Sequence, residues 1–371
     1  MRLLLFNLRT DVDDTALGFT SAWINAIAPQ WDSVDVVTMH AGRLELAENV
    51  VVHSVGRERG HGRWRMLARF YRLTIRLVLR RRPDVCFAHM TPLFASLFWP
   101  VRKLVGVPLL LWYAHGSVTR QLKIAERLSD RCATSTPAGF RLPSTKLAVL
   151  GQGVDVARFR PPEAPPGDYE QTLLCLGRLT ASKHVDEAIH AVALARREQP
   201  DLRLRIVGGP VTRADEDYAR AITALVEELG LGDAVDLVGP VAYARISEQY
   251  ATGGVFLNLG STGSLDKAIL EAMASGSIPV SRNDAFAQLA REHGLQELIV
   301  GPGTEGTAQA LVRVAGLAPG ERATLRTRLR AIVEREHSLE RLAAELQREL
   351  QALVAKRSKR WVVHRRDGAG G

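Results

Sequence analysis

The sequence TGSLDKAILEAMASGSIPV, residues 262–280, predicts a turn, a short helix ended by Gly276, and a buried strand that begins at Ile278. Within that helix Lys267 and Glu271 are four residues apart and therefore share a face. A turn before a helix N-terminus leaves backbone N–H groups without partners and suits a phosphate. A carboxylate one turn further in can accept hydrogen bonds from sugar hydroxyls. These features together predict a nucleotide-sugar site.

The rest of the chain predicts two α/β domains around this unit. Its 371 residues suit two domains of about 150–200 residues each. Apolar strand-like runs alternate with helical patterns over about 150 residues, and the alternation restarts after residue 170. Between them residues 160–167 contain four prolines, which predicts a linker. We therefore predict an α/β protein with two doubly wound parallel sheets and a ligand cleft between them.

The predicted domain boundaries follow from this alternation. They are residues 1–155 for the first domain, 156–170 for the Pro-rich linker, 171–355 for the second domain and 356–371 for a basic, flexible tail. The last helix of the second domain is predicted from leucines that share one face: Leu339, Leu342, Leu346, Leu350 and Leu353.

Cysteine usage and hydropathy indicate the cellular compartment. Cys86, Cys132 and Cys175 occur singly in apolar runs, which predicts buried thiols and a reducing compartment rather than a disulfide framework. The N-terminus is too short for a signal peptide, and no run reaches the roughly 20 apolar residues of a membrane span. We expect a cytoplasmic protein that is either soluble or peripheral at the inner face of the membrane.

The positive charge is concentrated in one predicted helix. Residues 57–82 contain ten arginines and one glutamate, an excess equal to the +9 of the whole chain. Five of the arginines form a stripe at spacings of three and four: Arg65, Arg69, Arg72, Arg76 and Arg80. Two interpretations stay open: a packed helix with a solvated face, or a helix (residues 63–82) that binds an anionic membrane surface. No nucleic-acid-binding module accompanies the charge, so we expect no nucleic-acid partner.

The second domain opens with a pair of cations. A predicted strand ends at Gly177, and Arg178 and Lys183 follow before the next helix begins. Beside a cleft, a bidentate arginine and a point-charge lysine suit a diphosphate leaving group. Two solvated loop cations are the alternative, which the element at residues 262–276 makes less favourable.

These motifs resemble those of a known family. Gly177-Arg178 with Lys183, the sequences IVGG (206–209) and VGP (238–240), and residues 270–280 resemble the retaining GT-B glycosyltransferases of family 4, the glycosyl transferases group 1. Residues 149–161 resemble the segment that enters the linker in that family. The resemblance is specific over about residues 145–300, whereas the N-terminal half agrees mainly in architecture. It implies the GT-B fold, in which two Rossmann-like domains face a central cleft.

The resemblance also implies roles for individual residues. Arg178 and Lys183 would hold the donor diphosphate, and Glu271 would accept hydrogen bonds from the ribose hydroxyls. Three residues before the helix would offer backbone N–H groups to phosphate: Gly263, Ser264 and Leu265.

One position departs from the family pattern. The family has an acid eight residues before the helix glutamate, and this chain has Gly263 there. The identity of the donor sugar therefore stays open. Asp266 and Lys267 are the nearest polar residues that could replace the acid at the sugar. Lys267 could instead contact phosphate or pair with Glu271.

Candidates in the first domain are fewer. His115 follows an apolar strand, and the resemblance implies that it contacts the transferred sugar. His89 is a weaker candidate for an acceptor pocket. Gly18 is either the glycine of a turn near the donor or a glycine that allows close helix–strand packing. Three acids in the same loop could meet an acceptor or be solvated: Asp11, Asp13 and Asp14.

The resemblance implies a retaining glycosyltransferase that uses a UDP- or GDP-type sugar donor. The acceptor would be a hydroxyl of a lipid, a glycan or a small molecule, attacked by a front-face mechanism, and no metal or other cofactor is expected. Two alternatives remain: another GT-B enzyme, such as a sugar-nucleotide epimerase, or a catalytically silent nucleotide-sugar-binding protein.

Overall fold

The chain forms two compact α/β units in a computed structural model that describes residues 1–260 and 264–367, with side chains described through Arg357. The first unit comprises Met1–Gly151 together with the chain from Leu339 onward, and the second is Gln152–Ser338. Each unit contains one sheet in which every strand pair is parallel. The predicted fold class, two doubly wound parallel-sheet domains, is confirmed.

The first unit is built on a seven-stranded sheet. Its strands are β1 (Arg2–Thr10), β2 (Ser33–Ala41), β3 (Val50–Ser54), β4 (Val85–His89), β5 (Leu109–Trp112), β6 (Arg131–Thr134) and β7 (Leu147–Val149). Its first four helices are α1 (Phe19–Ile27), α2 (Arg63–Arg81), α3 (Pro92–Val105) and α4 (Arg120–Leu128). The strand order is β3-β2-β1-β4-β5-β6-β7. Strands β4 and β5 are buried along their whole length because helices cover both faces of the sheet.

Aromatic side chains fill the core on both faces of this sheet. On one face Phe6 packs against Phe98 and Phe70 against Phe94, with ring centroids 5.0 and 4.9 Å apart. On the other face Trp23 meets Trp112 edge to face at 4.9 Å.

The last helix of the chain packs on the first unit. Helix α12 (Leu339–Asp367) buries Leu342, Leu346 and Leu350 in the same core as Trp23. Arg131 and Glu349 add a bidentate ion pair at 2.7 and 3.0 Å. The prediction that residues 339–355 belong to the second domain is therefore wrong, because an amphipathic pattern shows that a face is buried but not against which sheet.

The predicted flexible tail at residues 356–371 is also different in the structure. Helix α12 continues through residue 355 to Asp367, so most of that segment is helical. Residues 368–371 lie outside the described residues.

The second unit contains a five-stranded sheet. Its strands are β8 (Thr172–Leu176), β9 (Arg203–Val207), β10 (Val235–Gly239), β11 (Val255–Asn258) and β12 (Ile278–Ser281). Its helices are α5 (Val185–Ala195), α6 (Arg213–Glu228), α7 (Ile246–Tyr250), α8 (Lys267–Ala274), α9 (Asp284–Glu292), α10 (Thr304–Ala315) and α11 (Pro319–Glu336). The strand order is β10-β9-β8-β11-β12.

The Pro-rich segment is part of the second unit rather than a separate linker. Phe159 and Tyr169 are buried at its two ends, and only the residues between them are largely exposed. Arg330 donates to the carbonyl oxygens of Val156 and Phe159 at 3.1 and 2.9 Å. The predicted linker at 156–170 is thus wrong in position: the chain passes between the units after residue 151 and again after residue 338. The prolines correctly predicted irregular backbone, but two aromatic anchors fix that backbone to the second unit.

The thiols and helix lengths agree with the hydropathy pattern. Cys86 and Cys132 are buried, Cys175 is partly buried, and all three are free. Burial raises the pKa of the Cys132 thiol to about 12, so this thiol is protonated and unreactive near neutral pH. Within the described residues, every helix is too short or too polar to span a bilayer.

Candidate functional site

The candidate site lies in the second unit, where the direction of strand addition reverses. Strands β9 and β10 lie on one side of β8, whereas β11 and β12 lie on the other. The loops that follow β8 and β11 therefore diverge and leave a crevice at the carboxyl ends of the strands, where ligands bind in such sheets. Arg178 follows β8, Asn258 ends β11, and Asp266 comes shortly after it.

Two glycines bring the loops after β8 and β9 into contact. The N–H of Gly177 donates to the carbonyl oxygen of Val207, and that of Leu179 donates to that of Gly209, both at 3.0 Å. Gly208 has a φ of +143°, and a Cβ on it would lie 1.7 Å from the carbonyl oxygen of Gly177. Only glycine fits there, and this close contact fixes the backbone that carries Arg178.

Arg178 presents an exposed guanidinium at this edge. Within the described part of the chain, no hydrogen bond or ion pair engages its side chain. Its five N–H donors are therefore available to an anionic ligand.

Lys183 is held by a carboxylate and an amide. Its Nζ lies 2.5 Å from Oδ2 of Asp266, and both side chains are only 17% exposed. The Nδ2 of Asn258 donates to the same carboxylate oxygen at 3.1 Å. Asp266 therefore fixes the lysine ammonium at the carboxyl end of β11.

Asp266 also caps the helix that follows. Its Oδ1 accepts the N–H of Ala268 at 3.2 Å, which satisfies one N–H in the first turn of α8. Burial raises the pKa of this carboxyl, but the nearby Lys183 ammonium and the hydrogen bonds outweigh it, so the pKa lies below its ordinary value. The Asp266 carboxyl is consequently ionised at neutral pH.

A second charged cluster lies beneath the first turns of α8. Glu271 is 4% exposed and accepts hydrogen bonds from the hydroxyls of Tyr243 and Tyr250 at 2.9 and 3.0 Å. The Nζ of Lys267 lies 3.6 Å from Oε1 of Glu271 and 3.2 Å from the Tyr243 hydroxyl. The structure therefore shows the Lys267–Glu271 pairing that the sequence left open. Oε2, which accepts from Tyr250, retains one further acceptor direction for a ligand hydroxyl.

Burial dominates the ionisation of this cluster. It raises the pKa of Glu271, which Lys267 and the tyrosine hydroxyls partly offset. It lowers the pKa of Lys267, which Glu271 partly offsets. The guanidinium of Arg158 lies 4.7 Å from the ring centroid of Tyr243 and donates to the Tyr243 carbonyl oxygen, so it closes the cluster from the side of the Pro-rich segment.

The backbone just before α8 carries N–H groups that a ligand could use. The N–H groups of Leu265 and Asp266 have no acceptor among the described residues. The carbonyl oxygen of Ser264 accepts from Asn283 at 2.9 Å, which turns this peptide toward the helix. Gly263, predicted to contact phosphate or the donor sugar, lies outside the described residues. Gly276 has a φ of +82° after the helix ends, as the sequence predicted.

The candidates in the first unit occupy different surroundings. His115 is exposed beyond the end of β5, and its Nδ1 accepts the N–H of Ser117 at 3.1 Å. A neutral His115 therefore carries its proton on Nε2. His89 is buried against Trp23, with ring centroids 4.6 Å apart.

The loop after β1 is braced by its own acids. Gly18 has a φ of −57°, which any residue can adopt, so its position requires no left-handed turn. Asp13 pairs with Arg43 at 2.7 Å, and Asp14 pairs with Arg9. Asp11 accepts from the backbone N–H of Asp13 at 3.1 Å. The acids thus hold this loop.

The sequence analysis missed four residues of the site: Arg158, Tyr243, Tyr250 and Asn258. Only Asn258 left a signal, because a polar residue ends an otherwise apolar strand. Its Oδ1 is buried and has no partner in the described chain, so the site contains an unused acceptor. Among the described residues, no group of three His, Cys, Asp or Glu side chains is placed to hold a metal ion.

Comparison with known proteins identifies the second unit. The sequence profile of the glycosyl transferases group 1 matches residues 170–316. Most of the second unit therefore matches the glycosyl transferases group 1. The resemblance read from Arg178, Lys183 and residues 270–280 is thereby confirmed.

Individual relatives agree with this assignment over part of their length. The chain is 30% identical over 222 residues to WcaL of Escherichia coli, named for glycosyl transfer in colanic acid biosynthesis, covering 57% of this chain and 52% of that protein. It is 25% identical over 257 residues to the D-inositol 3-phosphate glycosyltransferase of Thermobispora bispora, covering 59% of each. The matches thus span less than two thirds of these relatives.

A solved structure extends the likeness to the whole fold. HepE of Anabaena, crystallised in complex with UDP and glucose, aligns with a TM-score of 0.72 at 16% identity, covering 95% of this chain and 100% of that one. Its two-domain fold is GT-B, so the GT-B fold expected from the sequence is confirmed.

Proposed function

We propose that this protein transfers a sugar, with retention of configuration, from a nucleoside-diphosphate sugar to an acceptor hydroxyl. The observation that carries the proposal is Arg178, exposed and without a partner among the described residues, beside a fixed Lys183 at the switch point of a domain that matches the glycosyl transferases group 1. These two cations suit a diphosphate, whose negative charge grows as the glycosidic bond breaks.

The proposed reaction follows the front-face course. The acceptor hydroxyl attacks the anomeric carbon on the side from which the diphosphate leaves, and a diphosphate oxygen takes the hydroxyl proton. The new glycosidic bond replaces the old one, and the nucleoside diphosphate leaves protonated. Arg178, Lys183 and the backbone N–H groups of Leu265 and Asp266 stabilise the developing charge. No step assigned to these residues requires a metal ion.

Within this proposal Glu271 accepts a ribose hydroxyl with its remaining lone pairs. Tyr243 and Tyr250 hold the carboxylate in one orientation, so a ribose would meet a fixed acceptor. Asp266, an alternative contact for the donor sugar, is instead engaged by Lys183. His115 would contact the transferred sugar through its Nε2–H.

The proposed donor is a UDP- or GDP-sugar, and the proposed acceptor is a lipid or glycan hydroxyl. HepE was solved with UDP and glucose, and a relative 28% identical over 193 residues is named a GDP-mannose:cellobiosyl-diphosphopolyprenol alpha-mannosyltransferase of Xanthomonas oryzae. We place the protein in the cytoplasm, where such donors are made.

A donor panel tests this function. Thermal melting with UDP-, GDP-, ADP- and dTDP-sugars should show one donor that raises Tm, because it binds only the folded protein. At a concentration 100 times its Kd, that donor should raise the free energy of unfolding by about 2.7 kcal/mol. Slow hydrolysis of that donor without an acceptor should follow. Binding without any hydrolysis or transfer would instead identify a silent binder, and no shift with any nucleotide sugar would refute the proposal.

A further inference from the structure

Helix α2 carries seven arginines within 19 residues and buries only one side. Phe70, Thr74, Leu77 and Val78 face the core, while the opposite surface is open. That open surface has two adjacent strips, one apolar and one basic.

The apolar strip consists of Trp64, Ile75 and Leu79, which are 83%, 45% and 65% exposed. At 100° per residue these three side chains fall within about 60° of one another around the helix. Leu104, at the end of α3, is 88% exposed. A sequence pattern built on buried residues did not predict this strip.

The basic strip lies beside it and consists of Arg65, Arg72, Arg76 and Arg80, all exposed. No carboxylate in the described part of the chain pairs with any of the four. Arg69, the fifth arginine of the predicted stripe, is held by the carbonyl oxygen of Ser54 at 2.7 Å. The charge of this surface is therefore uncompensated by the protein.

A groove continues the apolar strip at the end of α2. Its volume is about 740 Å³, and Leu79 and Leu104 both line it together with Val354 of α12. Arg82 and Arg357 add two cations to its wall and Asp84 adds one carboxylate, so the wall has a net positive charge. Apolar surface and positive charge therefore meet again where α2, α3 and α12 come together.

We propose that this surface docks on an anionic lipid bilayer. The apolar strip and Leu104 enter the boundary between headgroups and acyl chains, and the basic strip binds lipid phosphates. Tryptophan is suited to that boundary because its ring is apolar and its N–H is polar. A polynucleotide would use the arginines alone and would leave Trp64 and Leu79 in water. Docking needs neither donor nor acceptor, so it extends beyond the proposed function and can be tested apart from it.

The test is flotation of the full chain with vesicles of phosphatidylcholine alone or with about 30% phosphatidylglycerol, at about 0.05 M and about 0.5 M NaCl. We expect binding to the anionic vesicles that weakens at high salt. Arg72→Gln/Arg76→Gln/Arg80→Gln should lower the partition coefficient by roughly 100-fold, on the order of five-fold for each arginine. Trp64→Ser/Leu79→Ser should lower it by at least about ten-fold while leaving the residual binding salt-sensitive.

A matched control removes three exposed arginines from the second unit. Arg197→Gln/Arg213→Gln/Arg291→Gln makes the same change in net charge and should bind anionic vesicles as the wild type does. Melting temperature and nucleotide binding report whether each variant is folded.

Three results would overturn the proposal. The first is a wild-type protein that, at low salt, binds neutral vesicles or binds no vesicles at all. The second is equal loss in the α2 and control triple variants, which would show only a net-charge effect. The third is a Trp64→Ser/Leu79→Ser variant that floats like wild type but sediments as a smaller species, which would assign the apolar strip to a contact between two copies.

Discussion

The proposed donor site in the second unit and the open surface of α2 in the first both concentrate charge, but they arrange it differently. Around α8 the charges are paired and buried: Lys183 with Asp266, and Lys267 with Glu271. On α2 the arginines are exposed and have no acidic partners among the described residues. In the donor site only Arg178 resembles the α2 arginines.

This difference indicates two kinds of ligand. Paired, buried charges hold fixed positions, so they suit a small ligand whose atoms must be placed accurately. Exposed cations on long side chains adapt to a partner with no fixed pattern of charges, such as a lipid surface. The comparison therefore predicts that substitutions in the donor site change turnover or stability sharply, whereas substitutions on α2 change only surface binding.

The largest expected effect is the loss of Arg178. Arg178→Ala should reduce turnover by about 10²–10³-fold, because it removes a charge-assisted contact that strengthens as the diphosphate leaves. The melting temperature should not change, since no hydrogen bond or ion pair engages the exposed guanidinium within the described chain. Transfer or donor hydrolysis, measured beside a melting curve, checks both statements. Arg76→Gln is the matched control, which should change only surface binding. Near-normal turnover in Arg178→Ala would contradict the predicted difference between the two regions.

The next effect concerns stability rather than chemistry. Glu271→Ala should lower the free energy of unfolding by about 3 kcal/mol, because it leaves Lys267 buried without its carboxylate and two tyrosine hydroxyls without an acceptor. Urea unfolding measures the difference. Glu248→Ala, which breaks an exposed pair with Arg245, should change stability by about 1 kcal/mol or less. Equal losses in the two variants would show that the α8 cluster is not a buried network.

The smallest effect is a pH dependence from Asp266. Its pKa in the folded protein lies below the ordinary value of 3.8, so its ionisation stabilises the fold above that value. This contribution is lost as the pH falls through the lowered pKa. The stability difference between wild type and Asp266→Asn should therefore shrink as the pH falls below about 5. Asp201→Asn at an exposed turn provides the control, and a difference that stays constant with pH would contradict the ion pair.

The sequence predicted local features of the site well and tertiary partners poorly. The spacing of Lys267 and Glu271 predicted their contact, because helix geometry alone brings residues four apart together. Gly276 predicted the end of α8, because glycine commonly follows the last turn of a helix. Asp266, by contrast, was expected near the sugar, and its pairing with Lys183 spans 83 residues that no local pattern connects.

The same limit explains the misplaced elements of the fold. The leucine face of α12 predicted a buried helix, but which sheet it covers depends on a chain crossing after residue 338. The prolines before residue 170 predicted irregular backbone, and the aromatic anchors at Phe159 and Tyr169 that fix it to the second unit have no distinctive spacing. Tyr243 and Tyr250 have no distinctive spacing either, although both hydroxyls donate to Glu271.

The central claim, that the second unit binds a nucleoside diphosphate through Arg178 and Lys183, is tested most directly by calorimetric titration of UDP and GDP. The proteins to compare are the wild type, Arg178→Ala and the triple variant Arg72→Gln/Arg76→Gln/Arg80→Gln. We predict that one of the two nucleotides binds the wild type and the triple variant equally, and that Arg178→Ala weakens this binding by about 10-fold or more. Unchanged affinity in Arg178→Ala, or the same loss in the α2 variant, would contradict the account.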